Sequence, residues 1–339
     1  LVKKRRKTQV QESLSIEKAR EVIIRIKKLE GLSKHTLENY QKLFNDLERC
    51  FSKRKLVSNF TIEDARRFID WQLNEKEQFK EVRFRQDKKI GVSIGSANSY
   101  LQYAKAAFNT LQDEGYLEEN VWESLKNIRR QQEQVDTLSE DEITRMLNVL
   151  DRTWYADFRA YVLLHTLLDT FGRITEVLSI KKKDIDYQNA SITFQQTKNN
   201  LFRIVPITTR TLDLLEQLIR ETEEFDSEYI FLTNTGKPLV SGTVRKQLRD
   251  IAEKAGVKRR IYPHLFRHTA SKMFLEQGGS MRVLQKILGH RDIQTTMIYS
   301  HVFDTTIKSQ HEQFSPIKHL DEKQGYKTRT NKKGRLKRQ

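Results

Sequence analysis

Apolar residues recur at helical spacing along most of this chain, and glycines or polar runs interrupt them. Ile16, Ala19, Ile23, Ile24 and Ile26 predict a helix over residues 15–30, stopped by Gly31. Ser33 is placed to cap a second helix carrying Leu37, Tyr40, Leu43, Phe44, Leu47 and Phe51. A third spans residues 61–73 with Phe68, Ile69 and Trp71 on its apolar side. Residues 75–91 are charged and poor in apolar side chains, which predicts a surface loop or an extended helix end. A fourth helix, 96–114, buries Tyr100, Tyr103, Ala106, Ala107, Phe108 and Leu111 and ends at Gly115. The first third therefore reads as an all-helical unit.

Apolar content almost vanishes over residues 127–135, as in an exposed connector, and a domain boundary is expected there. Ser139 with Glu142 three residues on is a capping box that opens a helix through Ile143, Met146, Leu147 and Leu150. Residues 161–168 read as a buried helix. Residues 191–196 and 202–207 alternate as two strands, joined by a 197–201 turn that holds Lys198. Helices are expected again near 209–221, 241–255, 264–277, 282–288 and 295–302. The predicted architecture is mainly α with a small β-sheet. It comprises a basic N-terminal extension (1–14), a helical domain (15–130), a linker (131–136), an α+β domain (137–320) and a basic tail (321–339).

Charge narrows the partners. Lysine and arginine total 62 against 45 acidic residues, a formal +17, and such a field favours polyanions. Basicity also serves solubility, so the motifs have to decide. The single cysteine, Cys50, excludes an internal disulfide framework and a cysteine-based zinc site, and it fits a reducing, cytoplasmic setting. No apolar stretch reaches membrane-spanning length, so a soluble chain with no membrane partner is expected.

Breaking a nucleic-acid strand without metal requires a nucleophile, cations that neutralise the phosphate as it becomes pentacoordinate, and a proton donor for the leaving oxygen. The second domain holds candidates for each. Arg173 follows the buried helix and opens the next, where free backbone amides also favour an anion. Arg267 lies three residues after His264, one face of a helix. Two guanidinium forks can grip non-bridging phosphate oxygens in a bidentate manner that lysine does not reproduce. His264 and His268 stand at i, i+4, the spacing of a metal pair, but no third ligand is evident and His268 reads as structural.

His264-Leu265-Phe266-Arg267-His268-Thr269-Ala270, then Leu288-Gly289-His290, then Tyr299 nine residues beyond that histidine, resemble the C-terminal signature of the tyrosine recombinases, the phage-integrase and Xer-like family. Gly172-Arg173-Ile174-Thr175-Glu176 is similar to the family's first-arginine motif, and Lys198 stands five residues before Arg203 as the family's hairpin lysine does. The resemblance implies a helical core-binding domain and an α+β catalytic domain that close as a clamp on double-stranded DNA. It also implies a site-specific recombinase that works through a 3′-phosphotyrosyl intermediate and a Holliday junction. By it, Arg173 and Arg267 clamp the scissile phosphate, Lys198 protonates the 5′-hydroxyl, and Tyr299 is the nucleophile. His264 assists proton transfer, His290 hydrogen-bonds a phosphate oxygen, and Glu176 orients the basic cluster. No metal, ATP or other cofactor is implied. A homotetramer on paired sites is, with room for accessory proteins and a nucleoid-associated location. Residues 303–320 are the natural arm for docking on a neighbouring protomer.

The chain departs from the family pattern at Phe171-Gly172, where glycine and then a larger apolar residue are usual, and at Thr197 and Asn199, which flank Lys198 where glycine is common. Phe266 replaces the usual leucine. A type IB-like strand-relaxing enzyme and a non-catalytic DNA-binding regulator are the alternatives. The complete Arg, Lys, His, Arg, His and Tyr set argues against the regulator, which needs no tyrosine. Base-reading residues are expected on the helices over 33–51 and 96–114.

Overall fold

The computed structural model describes residues 13–78, 89–129, 135–196, 201–299 and 311. The chain divides into two compact units between residues 132 and 133.

Among the described residues the first unit holds four α-helices, α1 (Ile16–Leu29), α2 (Lys34–Cys50), α3 (Ile62–Asn74) and α4 (Ile94–Asp113). Each start is capped by a hydroxyl: Ser15, Ser33, Thr61 and Ser93 accept a backbone N–H from the first turn, satisfying amides that have no partner within the helix. Because Ser93 is the cap, α4 begins two residues before the expected start. Trp122 is fully buried among Phe60, Phe68 and Phe108 and forms the centre of this core. Of the loop expected after α3, residues 79–88 lie outside the described residues, and near its start Lys76 departs from the exposure its charge predicts. Lys76 is buried, pairs with Asp46, and donates to Tyr100 Oη at 3.1 Å, while Gln72 donates to Asp46 at 3.0 Å. A charged residue that reads as solvent-facing is thus the partner of a buried carboxylate.

The second unit carries α5 (Glu140–Asn148), α6 (Tyr155–Thr170), α7 (Ile174–Leu178), β1 (Ile185–Asp186), β2 (Ser191–Gln196), β3 (Leu201–Pro206), α8 (Thr209–Glu221), α9 (Ser241–Lys254), α10 (Pro263–Glu276) and α11 (Met281–Leu288). The Ser139–Glu142 capping box forms as its spacing predicts, with both hydrogen bonds present. Helix α6 starts at Tyr155, six residues before the apolar run. Arg159 breaks the apolar pattern there yet is buried, because its Nη1 donates to Leu232 O at 2.6 Å. Helices α8 and α10 pack on α6, and α9 packs on α5 and α7.

The sheet is antiparallel in the order β1-β2-β3, with Phe194 opposite Arg203. Two-residue β1 is too short to show alternation, so periodicity gave no sign of it. Helix α11 ends at Gly289, whose φ of +68° suits a residue without Cβ. The helix expected over 295–302 is replaced, among the described residues, by two 3₁₀ turns, Ile293–Thr295 and Met297–Tyr299. Asp292 caps the first by accepting from Gln294 N at 2.9 Å, and the tight turns carry Tyr299 inward, where it packs with Leu275, Leu284 and Leu288. No helix among the described residues is long and apolar enough to cross a membrane.

Candidate active site

Arg173 is the cap residue of α7, and Glu176 is the third residue of that helix. The Glu176 carboxylate accepts from the Arg173 backbone amide at 2.8 Å and from its Nη1 at 2.9 Å. It also receives both terminal nitrogens of Arg203, each at 2.9 Å. Burial pushes the Glu176 carboxyl up, but the Arg203 hydrogen bonds and charge, with those of Arg173, outweigh it and hold the group at about 2. Glu176 is therefore an anion that neutralises one arginine fork and steadies a second. Arg173 stays 39% exposed, with only Nη1 engaged among the described residues, so donors remain for an incoming anion.

Helix α10 carries the next two groups. Arg267 is 5% exposed. Its Nη1 donates to Phe171 O at 2.6 Å, and its Nη2 to Leu288 O at 2.8 Å and His290 Nε2 at 3.1 Å. Burial and the neighbouring Arg173 lower its pKa to about 10, which still leaves it charged at neutral pH. The carbonyl that receives Nη1 is presented by an unusual backbone. Phe171 closes α6 at φ +54°, in the left-handed region, where a non-glycine residue costs about 1–2 kcal/mol. Its ring meets Phe274 edge-on at 5.8 Å, which offsets part of that cost. At Gly172 a Cβ would stand 2.6 Å from Val177 Cγ2 and 3.0 Å from Thr170 Oγ1. The inverted order of glycine and bulky residue before Arg173 thus has a steric reason at Gly172 and a packing compensation at Phe171.

Because Arg267 has no acceptor to offer, His290 Nε2 must accept and Nδ1 must carry the proton, which it donates to Thr296 Oγ1 at 2.9 Å. Burial, then the charges of Arg267 and Arg173, push His290 down to about 4, so it is neutral at physiological pH. His264, exposed in the first turn of α10, is lowered by partial desolvation, Arg267 and Arg173.

Tyr299 is 2% exposed, and its hydroxyl lies 2.7 Å from Nδ1 of His268. Burial raises the phenol, opposed by the Ser271 hydroxyl and the Arg267 charge, while burial, His264 and Arg267 lower His268. A protonated phenol therefore faces a neutral imidazole. The residue that meets the tyrosine is His268, expected to be structural, and His264 stands one turn earlier.

The structure brings Arg173, Glu176, His264, Arg267, His290 and Tyr299 into one unit, linked by hydrogen bonds or mutual electrostatic influence. Lys198 lies outside the described residues. Sequence reasoning missed Arg203 and His268 as members of this network. Arg203 had a signal, since it occupies an inward position of the alternating β3, shared with buried Val205. His268 had one too, standing one helical turn beyond His264. Together the groups offer a phenol, fixed guanidinium charges and neutral imidazoles, which is what in-line attack on a phosphodiester requires.

Residues 136–306 match the family model described as the phage integrase family. Tyrosine recombinase XerA of Pyrococcus furiosus is 30% identical over 86% of this chain and 92% of its own. Tyrosine recombinase XerD of Listeria innocua is 29% identical over 68% of this chain and 79% of its own. Among solved structures, the Tn1549 transposon integrase in complex with a circular intermediate DNA superposes with a TM-score of 0.71 at 18% identity, covering 89% of this chain and all of that one, a likeness of fold. Motifs, family match and relatives agree: this chain belongs to the phage integrase family and is a tyrosine recombinase.

Proposed function

We propose that this recombinase cuts and rejoins double-stranded DNA at specific sites with Tyr299 as its nucleophile. The Tyr299 oxygen attacks phosphorus, the bond to the 5′-oxygen breaks, and a 3′-phosphotyrosyl link forms with release of a 5′-hydroxyl. The 5′-hydroxyl of a second strand then attacks that link, restores a phosphodiester and frees the phenol. Two such exchanges pass through a Holliday junction on four protomers holding two sites. Bond energy is conserved in the phosphotyrosine, so the balance needs neither ATP nor a redox partner.

Arg173 and Arg267 neutralise the non-bridging oxygens, His290 holds Arg267 in place through its accepting Nε2, and Glu176 fixes the arginines. Lys198 protonates the departing 5′-oxygen. His264 assists proton transfer, and His268 takes a positioning role at the phenol. Each positioned donor of this kind supplies on the order of 10²-fold in rate. The first unit serves as the core-binding domain, with base-reading side chains on α2 and α4. The observation that carries the reading is the buried Tyr299 hydroxyl, in the same unit as a guanidinium that two backbone carbonyls and an imidazole hold rigid. A nicked suicide duplex carrying the native flanking DNA tests it, without metal or ATP. Wild type should give a denaturation-resistant adduct that Tyr299→Phe does not. No adduct in either, with specific binding to that DNA demonstrated, would leave a DNA-binding regulator as the better reading.

A further inference from the structure

Arg245 of α9 and Arg260, in the connection to α10, line one open cavity of about 340 Å³ with Ile174, Tyr262, Pro263 and His264. No carboxylate lines it. Among the described residues neither guanidinium is tied into a hydrogen bond or ion pair, whereas adjacent Arg259 is anchored to Asp136 at 2.6 Å and Glu142 at 3.1 Å. The charge of Arg245 reaches His264 and adds to that of Arg267 and Arg173 in disfavouring its protonation. Two exposed cations at one opening repel one another and disfavour protonation of the imidazole beside them, and an anion relieves that repulsion.

The position of the cavity says which anion. Ile174 directly follows Arg173, and His264 precedes Arg267 by one helical turn, so the cavity borders the cations assigned to the scissile phosphate. A DNA strand places its phosphates about 3.4 Å apart along the helix axis, so a scissile phosphate at Arg173 and Arg267 brings charged neighbours to the adjoining surface.

We propose that Arg245 and Arg260 form a second phosphate site, which grips a backbone phosphate neighbouring the scissile one and sets the strand's register across Tyr299. The inference rests on the recombination reading above. Such a contact positions the DNA without reading its sequence. Both side chains are exposed, so their replacement leaves the core untouched.

The test uses the full chain, Arg245→Gln, Arg260→Gln and the double variant. The probe is the native-flank suicide duplex carrying single methylphosphonates at phosphates around the cleavage position. Affinity is read from the DNA dependence of binding at several salt concentrations, and Arg220→Gln, an exposed arginine of α8, serves as the charge control. Each single variant should bind about tenfold more weakly near 0.15 M salt, and the slope of log K against log salt should fall by about 0.9 for each phosphate that is no longer neutralised. Wild type should lose a similar factor when one neighbouring phosphate is neutralised, and the double variant should lose nothing more there. Unchanged affinity and slope, or equal losses in wild type and double variant at every methylphosphonate, would overturn the second site. A wild type that forms no Tyr299-dependent adduct would overturn the recombination reading and this inference together, whereas an adduct with unshifted binding would remove this inference alone.

Discussion

Replacing Glu176 with glutamine takes a negative charge away from two arginines at once. The carboxyl sits at about 2 against an ordinary value of 4.5, and its side chain is 14% exposed. A depression of that size is worth roughly 3 kcal/mol of folding stability at neutral pH. Arg203 is 8% exposed, and its Nε already lacks a partner, so the amide leaves a buried cation uncompensated, a loss in the range of about 3–5 kcal/mol. For a unit of this size, about 3 kcal/mol is a fall in Tm of roughly 6–12 °C, readable by calorimetry as a shift of the second unit's transition.

The pH dependence has a fixed sign. The folded carboxyl titrates below the unfolded one, so its contribution is present above about pH 4.5 and is lost as pH falls toward 2. His290, neutral in the fold and depressed to about 4, gives a separate loss as pH falls from 6.5 through 4. Wild type should therefore lose stability through both acid windows, and Glu176→Gln should lose less than wild type through the lower one. A destabilisation under about 1 kcal/mol, or an acid profile below pH 4.5 that matches wild type, would refute a Glu176 that works as a charged clamp.

His268→Phe should cost about 1–3 kcal/mol in denaturant unfolding by leaving the Tyr299 hydroxyl with a poorer partner, and should alter the pH profile of adduct formation; a profile identical to wild type would assign His268 to packing alone. Gly172→Ala should destabilise by about 1–3 kcal/mol, because its Cβ would meet Val177 Cγ2 at 2.6 Å, and should slow adduct formation by moving Arg173; an unchanged melting temperature would count against that close approach. Lys76→Met should cost about 1–3 kcal/mol in the first unit, since the buried Asp46 carboxylate loses its Lys76 partner and keeps only Gln72 at 3.0 Å and Arg49 at 3.5 Å, and thermal unfolding of that unit would show it.

The mainly helical fold and the hairpin strands were legible because amphipathic spacing and capping hydroxyls are local signals: Ser15, Ser33 and the Ser139–Glu142 box need no tertiary information. Arg159 and Lys76 were misleading for the opposite reason. Their charge reads as surface, and only the distant Leu232 carbonyl and the Asp46 carboxylate, invisible to any periodicity, make their burial possible. The segment around Tyr299 shows a third limit. Its apolar spacing suits a helix, yet the Asp292 cap and the packing of the phenol against α11 favour two 3₁₀ turns. At the site, the arginines and His290 follow from motif spacing, whereas the pairing of Tyr299 with His268 depends on how those turns approach α10.

The role of Tyr299 is tested most directly by isolating the covalent protein–DNA adduct, digesting it with nuclease and protease, and locating the residual nucleotide by mass spectrometry. A 3′-phosphorylated nucleotide is expected on the peptide bearing Tyr299, at the phenol oxygen. A nucleotide on any other residue, or a link through a 5′-phosphate, would contradict the assignment of Tyr299 as the nucleophile.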